Sequence, residues 1–419
     1  MQSQQLALAA QQAMQAGRLD EAARLWGQVL ALQPEHPQAL FHLGQHKLLQ
    51  RDTVSALALL ERAARADPKM PAIPLNIAFA HRSSGNTQAE LAALDHALAI
   101  DPYFFPALLA KGEGLRRQGR SRTAAKVFKD ALAIMPPEHR LPEELKAAAA
   151  TARAVVQKDA AAMQNFLSER LTAVSGQKPG MVSRRLEECV GIAAGTMKTF
   201  IHRPTMLNFP QLPAIALYER GGFPWLPQLE QNTETIRNEL LALLKDTGAN
   251  FVPYVDHADG AAQSQWGELN RSPSWGAYFL WDDGRPVPEH MREFPQTTEL
   301  LRQLPLADVP GAAPNVFFSL LKPGTHIPPH TGVTNTRLIV HLPLMVPEGC
   351  WFRVGNETRE VRAGEAWVFD DTIEHEAKNE SDQPRIILIF DVWNPHICEA
   401  ERPHVAALVD GITAYYREE

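Results

Sequence analysis

Residues 33–39 read QPEHPQA, and the same punctuation returns as DPKMPAI at 67–73, DPYFFPA at 101–107 and MPPEHRL at 135–141. Pro34, Pro68, Pro102 and Pro136 are therefore spaced by 34 residues each. Other columns keep the register: Gly17, Arg51, Gly85 and Gly119; Ala22, Ala56, Glu90 and Ala124; Trp26, Leu60, Leu94 and Phe128; Val29, Ala63, Ala97 and Ala131. Each column has a physical reason. Glycine closes a tight turn, small residues let paired helices approach, and a large apolar residue fills the space between repeats. Proline has no amide proton and ends the second helix. The repeating unit is a helix-turn-helix hairpin.

A hairpin at this period resembles the tetratricopeptide repeat, in four copies over residues 1–136. Arg51, His81, Glu90 and Lys111 stand where small or aromatic residues are usual, which weakens individual repeats rather than the period. The resemblance implies a concave groove for a peptide or protein partner. The alternative is an array that only positions the next domain or self-associates. Residues 137–180 read as a cap and linker: EELKAAAATARAVVQKDAAAMQNFLSERL (143–171) repeats apolar residues at helical spacing, and SGQKPG (175–180) breaks the pattern.

The 419-residue length calls for more than one core. A formal charge of −7 leaves no basic surplus for nucleic acid or an anionic membrane, and neither partner is expected. Cys189, Cys350 and Cys398 form no paired framework and no Cys-x-x-Cys motif, so they read as small core residues in a reducing compartment. The N-terminus lacks a basic start followed by an apolar stretch, and no run of about 18 uncharged apolar residues occurs, so the expected location is cytoplasmic.

From about residue 200 the alanine-rich pattern gives way to prolines, tryptophans and short β-branched runs. QNTETIRNELLALLKDTG (231–248) reads as one amphipathic helix capped by Asn232 or Thr233 and stopped near Gly248. NVFFSLL, TRLIVHLPLMV, CWFRVG, ETREVR, EAWVFD and RIILIFDVW are strand candidates bounded by turn residues. So many short strands suggest a β-sandwich or jelly roll.

In PPHTGVTNTRLIVHL (328–342), His330 is followed by Thr331 and Gly332, where the usual two-histidine, one-carboxylate iron site places an acid. His375 lies in VFDDTIEHEAKN, and Arg385 opens the last strand candidate. Two imidazoles suit Fe(II), and a guanidinium fork suits a carboxylate. Structural histidines paired with acids are an equal reading of these three residues alone.

The stretch from FSLLKPGTHIPPHTG through RVGNETREVR and FDDTIEHEA to RIILIFDVWNP resembles the aspartyl/asparaginyl β-hydroxylase family of Fe(II)/2-oxoglutarate-dependent oxygenases. RPTMLNFPQLPAIALYERGGFPWLPQLEQ resembles its entry segment, so the resemblance covers about residues 200–397. It implies a multidomain chain: an all-α tetratricopeptide solenoid, then over residues 181–419 a double-stranded β-helix (jelly-roll, cupin-like) catalytic domain with flanking helices. It implies that His330 and His375 hold Fe(II), with water in the vacant carboxylate position beside Gly332. Arg385 and Ser319 would bind the distal carboxylate of 2-oxoglutarate, His341 would contact that cosubstrate, and Arg337 would face the substrate. O2 is the second cosubstrate. Animal relatives carry another arginine two residues beyond Arg337, and here that position is Ile339.

The expected reaction is hydroxylation of the β-carbon of Asp or Asn in a peptide or protein recruited by the repeats. The alternatives are the same chemistry on a small molecule or lipid acyl chain, or a repeat scaffold with a metal- or dicarboxylate-binding barrel. DHADG offers a literal His-x-Asp, His257 and Asp259, which reads as a loop decoy, and His326 reads as a structural residue. Asp370, Asp371, Glu374 and Glu376 are candidates to orient His375 through its other ring nitrogen.

Overall fold

The computed structural model describes residues 2–174, 184–246, 250–257 and 266–417, so the expected linker at 175–180 lies outside the described residues, as does Asp259. The chain divides into two compact units, Met1–Thr196 and Met197–Glu419.

The first unit is an all-α solenoid. Helices α1 (Gln2–Gln15) and α2 (Leu19–Leu32), α3 (Pro37–Leu49) and α4 (Thr53–Ala66), α5 (Ala72–Ser83) and α6 (Thr87–Ile100), α7 (Phe105–Arg117) and α8 (Ser121–Ala133) form successive hairpins. Trp26, Leu60, Leu94 and Phe128 are buried, as are Val29, Ala63, Ala97 and Ala131. A further column explains how they fit. Ala10, Gly44, Ala78 and Gly112 share the period, and a Cβ at Gly44 would lie 2.7 Å from Leu60, one at Gly112 2.4 Å from Phe128. The small column on the first helix makes room for the large one on the second.

Two departures from the repeat pattern have local explanations. Glu90 is buried where the other repeats have alanine, and Arg117 Nη2 donates to both its carboxylate oxygens at 2.6 Å. Arg51 occupies the glycine column, whose turns are left-handed: Gly17, Gly85 and Gly119 have φ of 72–74°, and Arg51 has φ 60°. A side chain there costs about 1 kcal/mol, so Arg51→Gly is expected to raise stability by about that amount. A lower melting temperature in the variant would contradict this.

Helix α9 (Glu143–Val174) is a single 32-residue element that packs on α8, and α10 (Arg184–Ala194) packs on α9. The division after Thr196 therefore falls later than the boundary read from sequence. Cys350 is buried as expected, whereas Cys189 and Cys398 are exposed, which corrects their reading as core residues. None of the described helices is long and apolar enough to cross a membrane.

The second unit mixes sheet and helix. Strands β1 (Val252–Pro253), β2 (Trp275–Asp282), β4 (Val316–Leu321), β11 (Arg385–Trp393), β6 (Arg337–Met345) and β9 (Trp367–Phe369) follow one another across the larger sheet, and β3 (Arg285–Pro286) pairs with β2. The smaller sheet runs β5 (His326–His330), β10 (His375–Asn379), β7 (Cys350–Val354), β8 (Glu357–Glu360). Both sheets are open along these paths, and no closed barrel is formed among the described residues.

Alternation along the strands sorts the side chains. Leu338, Val340, Leu342, Ile386, Leu388 and Phe390 pack against helices α11 (Leu226–Gln231), α12 (Thr233–Asp246), α13 (Pro288–Glu293) and α14 (Pro295–Arg302). Phe317, Ile339, Ile387 and Ile389 point the other way, onto Phe352, Val354 and Ala377 of the smaller sheet. That inner face therefore also carries Ser319, Arg337, His341, Arg385 and Asp391.

The six strand candidates are all strands, but β1, β2, β3, β5 and β10 lie outside them. The helix expected after Asn232 or Thr233 is α12, Thr233–Asp246, with Gly248 outside the described residues; α11 ends just ahead of it, and Thr233 Oγ1 donates to Glu230 O at 2.6 Å. Helix α15 (Arg402–Arg417) follows the last strand.

Candidate active site

His330 and His375 are direct partners across the β5–β10 pairing, with ring centroids 4.0 Å apart. Each ring is oriented in the same way. His330 Nδ1 donates to Pro328 O at 2.7 Å, and His375 Nδ1 donates to Ile373 O at 3.1 Å. A carbonyl only accepts, so both rings carry their proton on Nδ1 and keep the Nε2 lone pair. Burial lowers the pKa of both, to about 4 for His330 and well below the usual range for His375, so both are neutral near pH 7. Two neutral imidazoles with open Nε2 atoms are the donor set a soft-to-borderline divalent metal takes.

Orientation comes from backbone carbonyls and not from the flanking acids proposed from sequence. Glu376 pairs with Arg353 and His326, Glu374 with Arg353, and Asp370 with His202. His326 is thus a surface partner of Glu376, at 2.8 Å. His257 borders the cavity, and its amide donates to Asn270 Oδ1 at 2.8 Å.

The cavity in front of the imidazoles has a volume of about 420 Å³ and is lined by the six residues given site roles from sequence: His330, His375, Arg385, Ser319, His341 and Arg337. Arg385 is 2% exposed, yet its Nε and Nη1 have no hydrogen-bond partner, and burial pulls its pKa down to about 10. Trp275 Nε1 donates to Ser319 Oγ at 3.1 Å, which leaves the Ser319 hydroxyl proton free to donate onward. His341 Nδ1 is buried without a partner among Phe352, Trp367 and Phe369. Arg337 is not a free cation: its Nη1 donates to Asp391 Oδ2 at 2.6 Å and to Ala312 O at 3.3 Å.

The space beside Gly332 is filled. An ideal Cβ there would lie 2.0 Å from Asp371 Oδ2 and 2.2 Å from its Cγ, and Gly332 N donates to Asp371 O at 2.7 Å. Asp371 is buried, its pKa is pushed up to about 8 by burial against the opposing pull of Arg337, and its Oδ1 has no partner. Among the described residues, no group of three or more His, Cys, Asp or Glu side chains is arranged to hold a metal ion. Sequence reasoning weighed Asp371 only as a neighbour of His375. The missing side chain at 332 was the available signal that another residue occupies that space.

A strap ahead of the sheets ties the two histidine-bearing turns together. Arg203 N donates to Thr372 O at 2.8 Å and Thr205 N to Gly332 O at 2.9 Å. Asn335 Oδ1 accepts from Phe209 N, which turns its Nδ2 toward His202 Nδ1 at 2.8 Å. His202 therefore carries its proton on Nε2, which lies 3.3 Å from Asp370 Oδ2 as an electrostatic contact without hydrogen-bond geometry. His202→Ala is expected to lower metal affinity about tenfold, with His202→Gln keeping part of it. Unchanged Zn(II) titrations in the alanine variant would remove the strap from the site. Three aromatic walls were also missed from sequence: Trp266 lies 4.6 Å from the His330 ring, and the Tyr254 and Trp275 rings lie 4.3 Å apart, tilted by 31°.

Two imidazoles, a buried unpartnered guanidinium and aromatic side chains thus line one cavity. Residues 230–395 match the aspartyl/asparaginyl beta-hydroxylase family model, and residues 8–71 match a tetratricopeptide repeat model. The chain thus joins an N-terminal tetratricopeptide region to a C-terminal aspartyl/asparaginyl β-hydroxylase-like domain, and it matches that family.

The human aspartyl/asparaginyl beta-hydroxylase is 33% identical over 192 residues, 45% of this chain and 24% of that protein. Human aspartate beta-hydroxylase domain-containing protein 2 is 32% identical over 208 residues, 48% of this chain and 53% of the relative. The ornithine lipid ester-linked acyl 2-hydroxylase of Rhizobium tropici is 28% identical over 192 residues, 45% and 64% of the two chains. The matched stretch spans between a quarter and two thirds of these relatives.

Proposed function

We propose that the C-terminal domain is an Fe(II)/2-oxoglutarate-dependent dioxygenase that hydroxylates the β-carbon of Asp or Asn residues in a peptide or protein brought to it by the tetratricopeptide groove. The observation that carries this reading is one cavity holding two Nε2 lone pairs and a buried guanidinium with no acceptor of its own. A charge left unpaired in the interior is costly, and a ligand carboxylate removes that cost. In this reading the two sheets are a double-stranded β-helix, with the site between them.

His330 and His375 would hold the metal, each kept in the metal-binding tautomer by a backbone carbonyl. Arg385 and the free Ser319 hydroxyl proton would bind the distal carboxylate of 2-oxoglutarate, and His341 would meet it from the neighbouring strand. When bound, Fe(II) with 2-oxoglutarate and O2 supplies the oxidising power to replace an unactivated C–H by C–OH. Trp266, Trp275 and Phe369 keep water from the reacting groups. Asp371, held against Gly332, is placed to accept or donate a proton at the position other sites fill with a ligand carboxylate.

A second reading keeps the chemistry and changes the substrate to an acyl chain, favoured by the apolar Ile339 on the cavity wall beside Arg337. The test is succinate release from the full chain with Fe(II), 2-oxoglutarate and O2, comparing wild type with His375→Ala, with Asp/Asn peptides or acyl substrates added. Release that peptides stimulate and the variant lacks is expected. Equal release from both proteins would refute the site.

A further inference from the structure

A second cavity of about 410 Å³ adjoins the first within the same unit, sharing Tyr254, Asn315, Val333 and Arg337 with it. With the imidazoles and Arg385 set aside for metal and cosubstrate, the polar groups on this side must meet the substrate. Arg337 and Arg385 are the only lysine or arginine residues among the described residues lining the two cavities. The acids whose charges act on Arg337 are Asp391 and Asp371 in the first cavity and Asp283 in the second. The Arg337 charge is already balanced by Asp391, whose Oδ2 also accepts from Asn315 N at 2.8 Å.

Two polar atoms remain buried and unpartnered on this wall: Arg337 Nε, a donor, and Asp371 Oδ1. A carboxylate substrate would satisfy Arg337 Nε but bring another negative charge into a wall where acids already outnumber the one cation. An ammonium group would relieve the acids but leave Arg337 Nε unpaired and face its charge. A neutral carboxamide has both an acceptor and a donor. Its oxygen can take Arg337 Nε–H, and it can partner Asp371 Oδ1 whether that carboxyl is ionised or protonated. No net charge is buried in the process.

We infer that, within the oxygenase reading above on which this rests, the cavity selects a neutral carboxamide, so that asparaginyl side chains are bound in preference to aspartyl ones. Ile339 is the residue that keeps this balance. It faces the cavity one alternation along β6 from Arg337 and is the direct cross-strand partner of Asp391. A cation there would stand beside Asp391 and release Arg337 for an acid.

The test uses the full chain loaded with redox-inert Zn(II) and 2-oxoglutarate at near-neutral pH, titrated with N-acetylasparagine N-methylamide and with N-acetylaspartate N-methylamide. The asparagine probe is expected to bind at least about tenfold more tightly, the cost of bringing a further negative charge into this buried wall. Ile339→Arg is expected to reverse the preference, and Ile339→Met to keep it, while both still bind 2-oxoglutarate. Equal binding, preference for the acid, or no binding of either probe by a protein that has bound 2-oxoglutarate overturns the inference and leaves the oxygenase reading standing. Failure to bind 2-oxoglutarate at all overturns both.

Discussion

Arg385→Met is expected to weaken 2-oxoglutarate binding by about 100-fold or more, because truncating one partner of a buried charge pair costs about 2–5 kcal/mol. The same substitution is expected to leave the ligand-free protein as stable as wild type, or more stable. Arg385 sits on the inner face of β11, 2% exposed, with Nε and Nη1 unpartnered, so ligand-free protein bears an uncompensated buried charge. Methionine fills much of the same volume without that charge. The two signs together are diagnostic: a structural arginine would lose stability on replacement, whereas a ligand-binding one loses affinity. Isothermal titration with 2-oxoglutarate and thermal melts of the ligand-free protein measure both. Wild-type affinity in Arg385→Met would remove the carboxylate site from Arg385.

Gly332→Ala is the second large effect. The added methyl would sit 2.0 Å from Asp371 Oδ2, and because the hydrogen bond from Gly332 N holds the Asp371 backbone in place, only rotation of the carboxyl within its buried site could relieve the clash. Overpacking of this kind costs about 1–3 kcal/mol, and here the strain falls between the turns that carry both imidazoles. Loss of metal affinity by more than about tenfold is expected beside the lower melting temperature. Gly332→Asp is expected to behave no better, since a carboxylate grafted at 332 collides with the one already there. Combining it with Asp371→Gly should restore part of the loss. Equal metal binding by Gly332→Ala and wild type would show that the Asp371 carboxyl is free to move away.

The repeat half was legible because its constraints are local and periodic. A left-handed turn, a helix stop and a small-against-large contact recur at one spacing, and even the Arg51 exception keeps the turn its column demands. The larger sheet was legible where strands are β-branched runs, as in RIILIFDVW, but β5 was hidden because HIPPH contains two prolines. Such a strand is tolerated because β5 lies at the edge of its sheet, pairing with β10 alone.

His330, His375 and Arg385 were legible as residue types at a characteristic order. Their surroundings were not, because these depend on contacts between distant segments. The Asp371 carboxyl against Gly332, the Asp391 carboxylate on Arg337 and the His202 strap are separated in sequence by 39, 54 and well over a hundred residues from what they touch. Burial of Asp371 in particular runs against the expectation that an acid in a turn is solvated.

If His330 and His375 hold the metal as proposed, their cross-strand register governs how it would be gained and lost. The two imidazoles are fixed by the β5–β10 ladder and by backbone carbonyls, groups that belong to the folded chain whether or not an ion is present. Ordering the ligands is thus part of folding, and metal capture need not repeat it. Uptake should proceed with little change in heat capacity and at a rate set by metal dehydration, and chelation should return a folded protein ready to be recharged.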